Sequence, residues 1–111
     1  MQYMLLIYGN DTEWEQRSDE EKAAIYAEYA AVSESPGING GAELQPGTTA
    51  TTVRVENGDA LTTDGPFAES KEVLGGYFLL EADDLDAAID IASRIPAART
   101  GAVEVRPVVE R

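Results

Sequence analysis

Neither cysteine nor histidine occurs in the 111-residue sequence. Without cysteine there is no disulfide, no thiolate chemistry and no Cys-based zinc or iron–sulfur site. Without histidine, the commonest general base near neutral pH and the commonest nitrogen ligand for metals and haem are both gone. Any catalysis would fall to carboxylates, Lys, Tyr, Ser or Thr, and neither a metal nor a cofactor is expected. Basic residues are also scarce, 8 against 21 acidic ones, for a formal net charge of -13. That charge repels the phosphates of a nucleic acid and an anionic membrane surface, so neither is expected as a partner. Its plainest effect is solubility. Long apolar runs are missing as well. The apolar start, Met1 to Tyr8, has no basic residue before it and is too short for a signal peptide or a membrane span, which points to the cytoplasm. The length suits one domain, residues 1–111, with a modest core that oligomerisation would supplement.

What is present reads as a small α+β domain. Gln2 to Tyr8 is nearly all apolar and stops at Gly9-Asn10, as a strand buried on both faces would. A polar stretch, Asp11 to Arg17, leads to Ser18, which forms a capping box with Glu21. The helix it opens runs to about Ser33, with Ile25, Tyr26, Tyr29, Ala30 and Ser33 on its buried stripe. Pro36-Gly37 ends it. A short strand near Ile38 to Leu44 contains Gly40-Gly41, and Gly75-Gly76 opens another at Tyr77 to Glu81; glycine pairs in strands signal a bulge or a close backbone approach. Between them, Thr48 to Glu56 alternates well and Asn57-Gly58 is a two-residue hairpin turn. A turn of that length pairs Arg54 with Leu61 and Thr51 with Asp64, and Asp64 to Glu72 follows as a loop. Asp83 is expected to cap a second helix carrying Leu85, Ala88, Ile89 and Ala92, which Pro96 stops. Val103 to Val109 is the last strand.

The order β-α-β-β-β-α-β suggests a ferredoxin-like sheet with both helices on one face. The strands Gln2–Tyr8 and Gly76–Leu80 are apolar on both sides, so the face away from the helices also needs cover. A second copy of the same sheet is the simplest cover, which makes a homodimer the expected state.

The most distinctive stretch is Asp64-Gly65-Pro66-Phe67-Ala68-Glu69-Ser70-Lys71-Glu72. It resembles the signature of the DGPF family, part of the wider YCII-related group. Thr51-Thr52-Val53-Arg54, Leu74-Gly75-Gly76-Tyr77, Leu85 to Ile89 and Val103 to Pro107 resemble the flanking family elements, so the likeness covers essentially residues 1 to 109. It implies a dimeric α+β barrel, two ferredoxin-like units stacked sheet to sheet with a cleft in each subunit. It implies no assigned activity. YCII-type relatives can carry a His–Asp pair in the cleft, and that role has no bearer here.

Asp64, Glu69, Lys71 and Glu72 admit two readings. They form a polar cleft wall, with Asp64 or Glu69 as a carboxylate base and Lys71 as anchor for an anionic ligand. Alternatively Asp64 and Gly65-Pro66 build a turn, Phe67 plugs the core and Lys71 pairs with a neighbouring acid. Arg54 is a second candidate for an anionic ligand, or a partner for an acid such as Glu104 across a dimer. Tyr77, with Tyr3 and Tyr8, either lines a cleft or packs in the core. Asp83, Asp84 and Asp86 are explained by helix capping without a metal. The readings that remain are a small-molecule binding or sensing module, a cofactor-free isomerase, lyase or oxygenase, and a protein partner of a transcription regulator.

Overall fold

Strand β1 (Gln2–Gly9) alternates strictly: Tyr3, Leu5 and Ile7 are buried, while the residues between them are half-buried. In the computed structural model, which describes residues 1–68 and 70–111, β1 is the second strand in from one edge of a four-stranded sheet. The other strands of that sheet are β2 (Ile38–Glu43), β5 (Val73–Glu81) and β6 (Ala102–Pro107), in the order β2-β5-β1-β6 and all antiparallel. Each helical connection passes over one intervening strand. Helix α2 (Asp19–Ser33) links β1 to β2 across β5, and α3 (Leu85–Ala92) with the short α4 (Ala97–Thr100) links β5 to β6 across β1. This is the ferredoxin-like α+β arrangement.

The caps follow the local chemistry, with two adjustments. Ser18 and Glu21 make the reciprocal capping box that opens α2. The cap of α3 is Asp84 rather than Asp83; its carboxylate accepts from the Ala87 amide at 2.8 Å. The polar stretch after β1 is not a plain connection. Asn10 accepts from the Glu13 amide at 3.0 Å and starts an extra helix, α1 (Asp11–Glu15). Both glycine pairs sit at irregularities in the ladder, between Ile38 and Gly40 in one case and opposite Ile7 and Tyr8 in the other.

The core is one cluster between sheet and helices: Tyr3, Leu5, Ile7 and Leu80 from the sheet, Val32 from α2, and Ala88, Ala92, Ile95 and Ala97 behind them. Its helix side is rich in alanine, which lets α3 lie close to the strands. Leu85 and Ile89, expected on the buried stripe, are instead about half exposed, at 49% and 48%.

The hairpin departs most from a compact domain. Strands β3 (Thr51–Glu56) and β4 (Asp59–Asp64) pair only with each other, so the chain has one strand more than the expected order counts. The register is the expected one, with Arg54 opposite Leu61 and Thr51 opposite Asp64. Asn57 and Gly58 have φ values of 50° and 83°, as a type I′ turn requires. Neither strand has a buried residue. Val53, Val55 and Leu61 are exposed, and so is Phe67, at 73%. Phe67 therefore does not plug the core: it lies on this arm, where the Arg54 guanidinium covers its ring at 4.7 Å. The molecule measures 45 × 44 × 18 Å with a radius of gyration of 15.7 Å. A compact chain of about this length has a radius near 13 Å. The thin dimension has room for one sheet and one helix layer only. No helix among the described residues is long and apolar enough to cross a membrane.

Gly65 joins arm to body. Its amide donates to the Ala50 carbonyl at 2.7 Å and its carbonyl accepts from the Thr52 hydroxyl at 2.8 Å. Its φ is 96°, with nothing within 4 Å of where a Cβ would stand. Gly65→Ala is thus a backbone-strain test without a steric clash, and should destabilise by about 1 kcal/mol or more. A thermal melt superimposable on that of the unmodified chain would refute this.

Candidate functional site

The stripe of α2 expected to be core borders a cleft, and only its Tyr29 also packs against the core. Ile25, Tyr26, Tyr29, Ala30 and Ser33 all line a cleft of about 600 Å³ between α1, α2 and the sheet. The cleft exists because the sheet beneath carries little side-chain bulk. Gly76 stands opposite Ile7 and Gly41 opposite Phe78, both on the helix-facing side. Filling those positions is not an option for this backbone. A Cβ on Gly76 would lie 2.7 Å from the Ala42 carbonyl oxygen.

The walls are largely aromatic. Tyr29 stacks on Phe78 at 6.5 Å between ring centroids, and Trp14 of α1 meets Tyr26 edge to face at 5.3 Å. The Lys22 ammonium lies 5.7 Å from the centroid of the Trp14 ring. Most polar groups on the walls are satisfied. Tyr26 donates to Glu43 Oε1 at 2.9 Å, which raises the tyrosine pKa above its ordinary range. Burial raises that of Tyr29, with a main-chain hydrogen bond at Ala97 acting against it. Asp11 Oδ2 accepts from the Gly47 amide at 2.8 Å, and Arg99 pairs with Glu28 at 2.9 Å. Arg17 is the exception. It is half-buried, and its Nε is buried with no hydrogen-bond partner among the described residues. A buried donor without an acceptor is unfavourable by about 1–3 kcal/mol.

The residues singled out from the sequence do not converge. Tyr77 borders the cleft through its strand; its ring belongs to the opposite face of the sheet, since it stands opposite Leu6 while its neighbour Phe78 packs on Tyr29. Tyr8 likewise reaches across that face to Glu104 Oε1 at 3.3 Å, while Tyr3 is core at 2% exposure. Glu104 is held by Arg106 of its own strand, which lowers its pKa. Arg54 is engaged with Phe67 on the arm. Asp64 and Lys71 are exposed, Lys71 makes no ion pair with a described residue, and neither lines the cleft. Glu69 lies outside the described residues. No group of three or more acidic side chains among the described residues is placed to hold a metal ion.

Trp14, Arg17, Glu43 and Arg99 are among the cleft residues that sequence reasoning passed over. The usable signal for Trp14 and Arg17 was Asn10, an N-cap three residues before Glu13, which makes Asp11–Arg17 a helical turn with one aromatic residue.

The whole chain, residues 1–111, matches the family model described as the YCII-related domain. An uncharacterized protein of Rhizobium meliloti (strain 1021) is 36% identical over 114 aligned residues, covering 97% of this chain and 92% of the relative. Together with the ferredoxin-like sheet, these matches establish that the chain belongs to the YCII-related domain family.

Proposed function

We propose that the chain is a cytoplasmic small-molecule binding or sensing module that works as a homodimer, with one binding cleft per subunit. The observation that carries the binding half is the helix stripe of Ile25, Tyr26 and Tyr29. An apolar, aromatic stripe of this kind normally meets the sheet along its length, but here only Tyr29 does, on Phe78, and the rest borders a cleft of about 600 Å³, the size of ordinary ligand sites. The dimer half is supported by the sheet face away from the helices. Met4, Leu6, Tyr77 and Leu79 share that face, since Met4 is opposite Leu79 and Leu6 opposite Tyr77. A catalytic reading has less support, because the exposed Asp64 does not line the cleft.

The test compares the purified chain with Ala30→Trp, which puts an indole on the cleft wall from an exposed position on α2. Native mass spectrometry after incubation with a small-molecule extract should show a retained mass on the unmodified chain and none on Ala30→Trp. Retention by both at equal occupancy, or by neither, would refute the cleft as the binding site.

A further inference from the structure

We propose, resting on the cleft reading above, that its ligand is a monoanionic carboxylate with a flat apolar body, and that Arg17 receives the carboxylate. Arg17 lines the cleft, and its buried Nε has no acceptor among the described residues, although acidic residues outnumber basic ones 21 to 8. Scarcity of acids therefore does not explain why it lacks one. Glu13 borders the same cleft yet makes no ion pair with Arg17, and the other acids nearby are committed elsewhere. Glu21 closes the capping box with Ser18, Asp11 takes the Gly47 amide, and Glu43 takes the Tyr26 hydroxyl. The other arginine on the cleft wall, Arg99, is neutralised by Glu28. Of the two arginines lining the cleft, Arg17 is thus the one without an ion pair among the described residues.

The same geometry sets the charge and shape of the ligand. A guanidinium offers parallel N–H donors that match a carboxylate. A dianionic group is disfavoured, since Asp11, Glu13 and Glu43 also border the cleft and only one lining arginine without an ion pair among the described residues opposes them. Flanking the site, Trp14, Tyr26, Tyr29 and Phe78 supply flat apolar surface for a ring or chain.

Trp14 is the sole tryptophan and borders the cleft, so its emission reports on this site. The probes are acetate, butyrate, benzoate and cyclohexanecarboxylate, each titrated beside its uncharged primary amide. The expected result is that affinity rises with the apolar body, and that the acid of the larger pairs binds at least tenfold more tightly than its amide. Arg17→Met, which keeps an apolar stem, should abolish that tenfold preference by weakening the acids far more than the amides. Arg17→Lys, which keeps the charge and loses the Nε donor, should retain part of it. Equal binding of acids and amides by the unmodified chain would overturn the role of Arg17 and leave the cleft as a binding site. An acid preference that survives Arg17→Met would do the same. No response of Trp14 to any acid or amide would overturn both the ligand class and the cleft reading.

Discussion

Leu79→Asp should convert the proposed homodimer to a monomer at micromolar concentration without unfolding the subunit. Leu79 stands on the sheet face away from the helices, opposite Met4 and next to Gly40. It is half-buried in the single chain, so a carboxylate there is tolerated by the subunit. In a two-fold interface the same residue appears on both subunits, so one substitution places two like charges in the contact. Desolvating an unpaired carboxylate is unfavourable by several kcal/mol, and each 1.4 kcal/mol is about tenfold in dissociation constant. The expected weakening is therefore at least roughly a hundredfold. Sedimentation velocity measures it directly. The unmodified chain should sediment as a dimer that buries more than about 1,200 Å² in total. A stable monomer of the unmodified chain would refute the interface, as would an undiminished Leu79→Asp dimer.

Leu5→Ala should lower stability by about 2–5 kcal/mol. Leu5 is fully buried at 0% exposure, between Phe78 and Val105 on its neighbouring strands. A domain of this size has only about 5–15 kcal/mol in total, so the loss is a large share. It corresponds to a fall in melting temperature of roughly 8–20 °C. The cavity left by the leucine cannot collapse easily, because the strands on both sides are hydrogen-bonded in register. A loss below about 1 kcal/mol would show that the sheet-to-helix layer is not the principal core.

How far the sequence could be read depended on whether the deciding interaction was local. The capping box at Ser18 and Glu21 and the Asn57-Gly58 turn involve residues two or three apart, and both stand as expected. The pairing of Arg54 with Leu61 followed from the turn alone. The face of α2 was only partly legible: Tyr26, Ala30 and Ser33 of the expected stripe are exposed and the one buried residue of the helix is Val32, because periodicity cannot distinguish a side chain that touches the sheet from one that lines a cleft. That difference depends on Gly41 and Gly76, far away in the chain. Phe67 was misplaced for a similar reason. An aromatic residue after Gly-Pro suggests a plug, yet its neighbour is Arg54 on an arm that leaves the body. Arg17 was overlooked because nothing within its own segment marks a buried donor without an acceptor.

The strand order has a consequence for the timing of assembly. Strand β1 precedes both its neighbours by a long stretch of sequence: Tyr3 pairs with Leu80 on one side and Pro107 on the other. During synthesis this apolar strand waits, unpaired on either edge, until β5 and β6 have been made. The loops that must close are long and the contacts non-local, which favours slow folding over the microsecond collapse of helical bundles. The hairpin of β3 and β4, with its local turn, is free to form early and alone. Strand β1 carries no charge of its own, so any repulsion between copies with β1 still exposed comes from the acidic residues that follow it, as in Asp11 to Glu21.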